Sequence, residues 1–190
     1  MRALDIDPVH DTRTTFRTLV DATSRPGTVE QTPTVPASHA VVATLVDHEV
    51  TLYGGDAELR TALERESRLD AAPFEKADVV VVDGHTDGRV TDANRGTLKE
   101  PSDGATIVYE VDALSEDTEE MDAGLTLAIS GPGVLGTRTV AVDGLPASEI
   151  DAICDAQSPY PRGVDVYLTT DDAVVGLPRS VDIAVGEEVA

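Results

Sequence analysis

The feature that most constrains the fold is a run of four consecutive valines, Val79 to Val82, followed by Asp83-Gly84. Every position of this run is apolar and β-branched, so the segment presents no polar face to water. Continuous apolar runs of this kind are typical of strands buried on both faces of a sheet, whereas alternating patterns are typical of half-exposed strands. The run therefore predicts a sheet that is covered on both sides.

Helical and strand patterns alternate along the rest of the chain. Asp7-Pro8 is a start signal for a first helix, and Arg25-Pro26-Gly27 ends it. Further helices are predicted from Ser38, after Asp56 as cap, and over Ala147 to Ala156 with Ser148 as cap. Further strands are predicted for residues 50–53, 106–111, 125–130, 137–142, 164–169, 173–177 and 181–185. This order predicts an α/β fold with a mixed sheet, and the absence of a linker predicts a single domain over residues 1–190.

The excess of acidic residues argues against some classes of binding partner. The chain has 36 acidic residues against 14 basic ones and a net charge of −22, and only Lys76 and Lys99 are lysines. Such a surface argues against nonspecific nucleic-acid binding, which requires basic groups on phosphates. A basic partner would suit it, but scattered acids with few lysines are more typical of a salt-adapted protein, whose surface repulsion is screened at molar salt.

The single cysteine and the lack of long apolar runs indicate the cellular compartment of the protein. Cys154 is the one cysteine, which excludes an intramolecular disulfide and is compatible with a reducing compartment. No apolar run approaches the ~20 residues of a membrane span, and Met1 to Pro8 lacks the apolar core of a signal peptide. We therefore expect a cytoplasmic protein.

One glycine motif resembles a cofactor loop. The segment Gly131 to Gly136 matches G-x-G-x-x-G and follows a predicted strand. A dinucleotide site then requires a helix, whose N-terminal amides hold the pyrophosphate. Residues Thr137 to Val142 instead alternate polar and apolar side chains, and Pro132 removes an amide from the loop. We therefore predict a tight turn between two strands and no cofactor.

Catalytic and metal-binding patterns are weak. The histidines lack metal-ligand spacing, and neighbouring helical residues such as Asp47-His48-Glu49 cannot converge on one ion. Cys154 lies among apolar residues, where a core role is commoner than a reactive thiolate. Neither lysine has the surroundings of a pyridoxal phosphate site. The sequence therefore identifies no catalytic residue, and it predicts no cofactor or metal ligand.

Loop arginines are the better candidates for binding. Arg25 and Arg179 lie next to constrained backbone at Pro26-Gly27 and Pro178, and Arg17 lies earlier, in the predicted first helix that leads to Arg25. A guanidinium at a fixed position can hold phosphate or carboxylate through its planar fork. The alternative is that these arginines pair internally with the excess of acidic residues.

Several short segments, in this order, resemble the PhnH family, the H subunit of the carbon–phosphorus lyase machinery. Arg162 departs from the apolar residue that this family usually has there, and residues 83–100 match loosely. The resembling segments are Asp7-Pro8-Val9-His10-Asp11, Phe16-Arg17, Ser24-Arg25-Pro26-Gly27-Thr28, Leu45-Val46-Asp47-His48-Glu49, Gly131-Pro132-Gly133, Gly163-Val164-Asp165 and Leu177-Pro178-Arg179.

The resemblance implies a three-layer α/β/α sandwich similar to the large domain of pyridoxal phosphate transferases, without their cofactor site. It implies a homodimer, or assembly with the G, I, J and L subunits, that supports transfer of a phosphonate to the ribose C1 of ATP with loss of adenine. Arg17, Arg25, His48 and Arg179 are then candidates for interface or anion contacts. The alternatives are a stand-alone small-molecule enzyme of pyridoxal-type fold and an anion-binding module.

Overall fold

The structure, a computed structural model, describes residues 4–119, 121 and 123–186. Its helices are α1 (His10–Ser24), α2 (Ala37–Leu45), α3 (Ala57–Arg65) and α4 (Ala147–Gln157). Its strands are β1 (Glu30–Gln31), β2 (Thr51–Gly54), β3 (Asp70–Ala71), β4 (Val79–Asp83), β5 (Thr106–Glu110), β6 (Ala113–Ser115), β7 (Leu125–Ser130), β8 (Thr137–Asp143), β9 (Asp165–Thr169), β10 (Ala173–Leu177) and β11 (Asp182–Val185). None of the helices in the described part of the chain is long and apolar enough to span a membrane.

The larger of two sheets is mixed, which confirms the predicted α/β class. Its seven strands lie in the order β1-β10-β9-β5-β4-β2-β3. The five strands from β9 to β3 are parallel, while β10 pairs antiparallel with both β9 and β1. The valine run forms β4 in the interior of this sheet, and Val79, Val80 and Val81 are at most 4 % exposed. The prediction that this strand is buried on both faces of the sheet is therefore confirmed.

Helices α1, α2 and α3 cover one face of the large sheet. Leu19 of α1, Val42 of α2 and Leu63 of α3 are buried in one apolar cluster with Val81 and Val108 from the sheet. The predicted cap Asp56 accepts a hydrogen bond from the Leu59 amide at 2.7 Å. Asp7 likewise accepts from the amides of Val9 and His10 at the start of α1. The cap predicted at Asp56 is therefore confirmed. The N-cap position of α1 is Val9, two residues after the predicted Asp7, and α4 follows Pro146 without a side-chain cap, so the caps predicted at Asp7 and Ser148 are wrong.

The opposite face differs from the expected sandwich. A four-stranded antiparallel sheet, β11-β7-β8-β6, packs there together with α4. Leu127 and Val140 of this second sheet and Ile153 of α4 share one buried cluster with Ile107 and Val166 of the large sheet. Two β-sheets thus pack against each other where the α/β/α expectation requires a purely helical layer. The more detailed α/β/α description and the likeness to pyridoxal phosphate transferases are therefore not supported.

Candidate functional site

The residues proposed from the sequence do not form one site. Arg25 lies at the end of α1, close to β10, where the nearby Gly27 amide donates a hydrogen bond to the Gly176 carbonyl at 3.3 Å. His48 lies in the turn before β2. Both positions are on the amino edge of the parallel strands, but four strand spacings separate β10 from β2. That separation is about 19 Å at about 4.8 Å per strand. His48 and Arg17 both have exposed side chains, and Arg17 lies in the middle of α1.

Arg179 is turned into the protein. Its side chain is 12 % exposed, and Nε and Nη2 donate to the Asp165 carboxylate at 2.5–3.2 Å. Nη1 also donates to the Pro101 carbonyl at 2.5 Å, and Nη2 approaches the Gly104 carbonyl at 3.5 Å. The guanidinium thus fixes the loop before β5 to the start of β9. Its planar fork is occupied by the chain itself.

Arg25 is half exposed and has acidic neighbours. Its Nη2 donates to Glu30 at 3.0 Å and lies 3.6 Å from Asp21. A second arginine, Arg138, reaches across from β8 and donates to the carbonyls of Arg25 and Pro26, both at 3.2 Å. The segment that ends α1 is therefore held from two sides, and one side of the Arg25 guanidinium remains accessible to solvent.

The glycine motif is a packing turn. Strands β7 and β8 are antiparallel with Ser130 opposite Thr137, so residues 131–136 connect two strands as predicted. Gly133 has φ +84°, and a Cβ there would lie 2.5 Å from the Ser24 carbonyl oxygen. The turn therefore lies directly against the end of α1, which leaves no helix N-terminus at which a dinucleotide phosphate could bind.

A cleft of about 480 Å³ opens at the amino edge beside this turn, with Pro132, Cys154, Tyr160 and Asp182 among its lining residues. Burial raises the pKa of the Cys154 thiol, and the nearby charges of Asp151, Asp155 and Asp182 raise it further. Its Sγ lies 3.5 Å from the Ile183 carbonyl. A protonated thiol in acidic surroundings is a poor nucleophile. The cleft therefore offers no activated cysteine.

A second cleft, of about 490 Å³, lies at the carboxyl edge of the parallel strands. This edge is where α/β sheets commonly bind ligands. Ser38 at the start of α2 donates to Glu110 Oε1 at 2.5 Å, and the rim carries Asp112, Asp171 and Asp172. The surroundings are acidic, so the cleft disfavours phosphate and phosphonate groups.

The residue next to Ser38 makes a separate polar contact at the same edge. His39 is 5 % exposed, and its Nε2 lies 3.1 Å from Asp56 at the start of α3. Neither this pair nor the Ser38–Glu110 contact was predicted. The available signal was the general rule that polar residues at the carboxyl ends of parallel strands converge, applied to Glu110 at the end of a buried strand.

Glu149 carries a carboxylate that is buried in the interior, with 1 % exposure. It accepts from Thr86 Oγ1 at 2.5 Å, from the Tyr109 hydroxyl at 2.7 Å and from the Gly88 amide at 3.0 Å. Burial alone raises the pKa of Glu149, but these hydrogen bonds outweigh it and the pKa lies below its ordinary value. Burial raises the pKa of Tyr109 far above its ordinary value, so its hydroxyl remains a donor. The group joins α4 to β5 and to the loop after β4.

The described residues show little that could hold a metal ion or activate a nucleophile. Among residues 4–119, 121 and 123–186, no group of three His, Cys, Asp or Glu side chains has a geometry suited to a metal ion. Ser38 bonds to Glu110 and His39 to Asp56, so these neighbours do not form a serine–histidine relay. The buried ionic groups Arg179 and Glu149 serve internal contacts.

Comparison with known proteins places the chain among phosphonate-processing proteins. Residues 5–184 match the family model described as bacterial phosphonate metabolism protein (PhnH). The chain is 29 % identical to the alpha-D-ribose 1-methylphosphonate 5-triphosphate synthase subunit PhnH of Rhizobium meliloti, over 93 % of this chain and 92 % of that protein. It is also 29 % identical to HtxG of Stutzerimonas stutzeri, which carries the name of a C-P lyase subunit, over 90 % of this chain and 85 % of that protein.

Proposed function

The chain belongs to the PhnH family of bacterial phosphonate metabolism proteins, and from that premise we propose that it is the H subunit of a carbon–phosphorus lyase system. In this role it supports transfer of a phosphonate to the ribose C1 of ATP with release of adenine, giving ribose 1-methylphosphonate 5-triphosphate. The observation that carries the proposal is the family match over residues 5–184. The names of both relatives, which describe them as subunits, support it further. The match also supports a single PhnH-like domain.

We propose that the isolated chain is not itself the catalyst. ATP and phosphonates are anions, and a net charge of −22 provides no long-range attraction for them. The carboxyl-edge cleft is acidic, and the guanidinium of Arg179 is bonded internally. Anion binding by Arg17, Arg25 or His48 would therefore be local and would need groups from another chain.

The proposed partners are the other core subunits, G, I, J and L, in the cytoplasm of a salt-adapted, haloarchaeal-type organism. A homodimer of the isolated chain is part of the same proposal. Subunit names of both relatives support assembly in general. Neighbouring genes that encode the other subunits would identify the partners directly.

The test is reconstitution with the G, I and L subunits of the same organism, scored by release of adenine from ATP in the presence of methylphosphonate. We expect release only when this chain is present with its partners. Turnover of ATP by the isolated chain, or full activity of the other subunits without it, would contradict the proposal.

Two other functions have distinct signatures. A stand-alone enzyme of pyridoxal type would show a cofactor chromophore, whereas we expect a colourless protein that binds neither pyridoxal phosphate nor NAD at micromolar concentration. An anion-binding module would bind phosphate or ATP without partners. Absorbance spectra and calorimetric titration of the purified chain distinguish these alternatives from the proposed subunit.

A further inference from the structure

Helix α1 carries an exposed apolar stripe. Val9, immediately before the helix, is 64 % exposed, Phe16 is 57 % exposed and Val20 is 50 % exposed. Spacings of seven and four residues place the three side chains on one face of a helix. The chain has only two phenylalanines, and the other, Phe74, is 2 % exposed. A large aromatic side chain left in water beside other apolar residues is typical of a protein interaction site.

The stripe borders an apolar groove of about 340 Å³. Phe16, Leu19 and Val20 line it from α1, together with Leu45 at the end of α2 and Tyr167 of β9, and Thr23 and Ser24 at the end of α1 complete the lining. The groove exists because the helices leave this part of β9 partly uncovered, so Tyr167 is only partly buried and its hydroxyl bonds to Thr23 at 2.8 Å. It offers a preformed depression for an inserted side chain.

Two arginines lie on the same stripe. Arg13 and Arg17 are exposed, and within the residues that the structure describes neither side chain has a hydrogen bond or ion pair. The nearby acids are already engaged, since Asp21 pairs with Arg25 and Asp11 accepts from the Asp7 amide. In a protein of net charge −22, two arginines without an internal partner among the described residues thus lie beside this apolar stripe.

We propose that the α1 face, formed by Val9, Arg13, Phe16, Arg17 and Val20 with the adjoining groove, docks another subunit of the phosphonate-processing assembly. The docked segment is apolar at its centre, where it fills the groove, and acidic at its rim, where it pairs with the two arginines. This inference rests on the proposed function. It names the surface through which the chain joins its partners.

Charge complementarity favours a different chain over a second copy. A self-complementary pair across this face would bring Arg13 and Arg17 towards their own copies and would join two chains of net charge −22. An acidic partner rim removes the local repulsion and satisfies both guanidinium groups. A homodimer of the isolated chain would therefore use another surface.

The experiment is co-purification of the chain with co-expressed G, I, J and L subunits, using size-exclusion chromatography and a measured dissociation constant. Phe16→Asp should weaken assembly at least about tenfold, as expected for an aromatic anchor at the centre of an interface. The matched control is Leu98→Asp, because Leu98 is also apolar and exposed, at 77 %. The double variant Arg13→Glu/Arg17→Glu should weaken assembly similarly, and Arg65→Glu, an exposed arginine on α3, should not.

Circular dichroism and melting temperature serve as the folding check, and both should be unchanged because every substituted side chain is exposed. If the wild-type chain joins no assembly, the proposed function fails. If the wild type assembles and Phe16→Asp assembles equally well, the docking inference fails and the proposed function stands. If the isolated chain is a dimer that Phe16→Asp dissociates, the occupant is a second copy and the inference is overturned.

Discussion

Two charged residues, Arg179 and Glu149, bind loops to the sheet from opposite edges. Arg179 joins β9 to the loop before β5, and Glu149 joins α4 to the loop after β4. Sequence could locate Arg179 through its Pro178 context, but its partner Asp165 lies 14 residues away and was not identifiable. Glu149 had no sequence signal, because a glutamate early in a helix is ordinary and only the tertiary fold buries it.

Removal of the Arg179 side chain should destabilise the fold. Arg179→Ala leaves the Asp165 carboxylate without its cation and two carbonyls without a donor, so we expect a loss of about 2–4 kcal/mol in the free energy of unfolding. Arg179→Lys should recover only part, because an ammonium cannot reproduce the two-pronged contact. Urea unfolding measures the change, with the half-exposed Arg25→Ala as control. Equal stabilities for the Arg25 and Arg179 variants would contradict this assignment.

Glu149 should give a pH-dependent contribution to stability. Its folded-state pKa is lowered, so its contribution is present above the unfolded-state pKa of about 4.3 and is lost as pH falls through the folded-state value. Glu149→Gln should therefore cost about 2–4 kcal/mol at pH 7, and the difference from wild type should shrink below about pH 4. Chemical unfolding across this pH range measures it, with the exposed Asp151→Asn as control. A difference that grows as pH falls would reverse the assigned sign.

The strands were predictable wherever a local pattern is sufficient. β7, β9 and β10 begin and end within one residue of their predicted bounds, because alternating or continuous apolar runs end at clear turn residues. The two-residue strands β1 and β3 and the short β6 were missed, since so few residues carry no periodicity.

The division into two sheets was also missed. Strand β7 buries every second residue, as a strand with one covered face does, whereas β4 is buried on both faces. That difference was visible in the sequence, because apolar and polar residues alternate in much of β7, whereas β4 begins with an unbroken run of valines. Pairing partners, however, are chosen by long-range contacts that no local pattern specifies.

The β7–β8 turn provides a test of packing between elements. Gly133 and Gly136 both have positive φ, +84° and +77°, but a Cβ at Gly136 meets nothing within 4 Å, whereas one at Gly133 meets the Ser24 carbonyl at 2.5 Å. Gly136→Ala should cost only the conformational penalty of about 1–2 kcal/mol. Gly133→Ala should cost clearly more, because the turn must move away from α1. Thermal unfolding of both variants measures the difference, and equal costs would show that the turn does not need this contact.

At the scale of the whole molecule, acidic side chains gather where structure brings loop ends together. Glu110, Asp112, Asp171 and Asp172 line one cleft at the carboxyl edge, although the first two are far from the last two in sequence. Their mutual repulsion opposes folding, and it adds to the repulsion of a surface with a net charge of −22. The α1 face contrasts with this cleft, because Arg13 and Arg17 are exposed there beside apolar side chains.

This charge distribution predicts that the protein is more stable in salt. Between about 0.1 and 1 M the screening length falls from about 10 Å to about 3 Å, so repulsion between neighbouring carboxylates weakens over this range. We expect the melting temperature to rise between about 0.1 and 2 M sodium chloride, most steeply at the low end, where screening changes fastest. An uncharged cosolute such as sucrose is the control, because it strengthens burial without screening charge. A melting temperature that stays flat or falls in salt would contradict the salt-adapted interpretation, and an equal rise in sucrose would assign the effect to burial instead of charge.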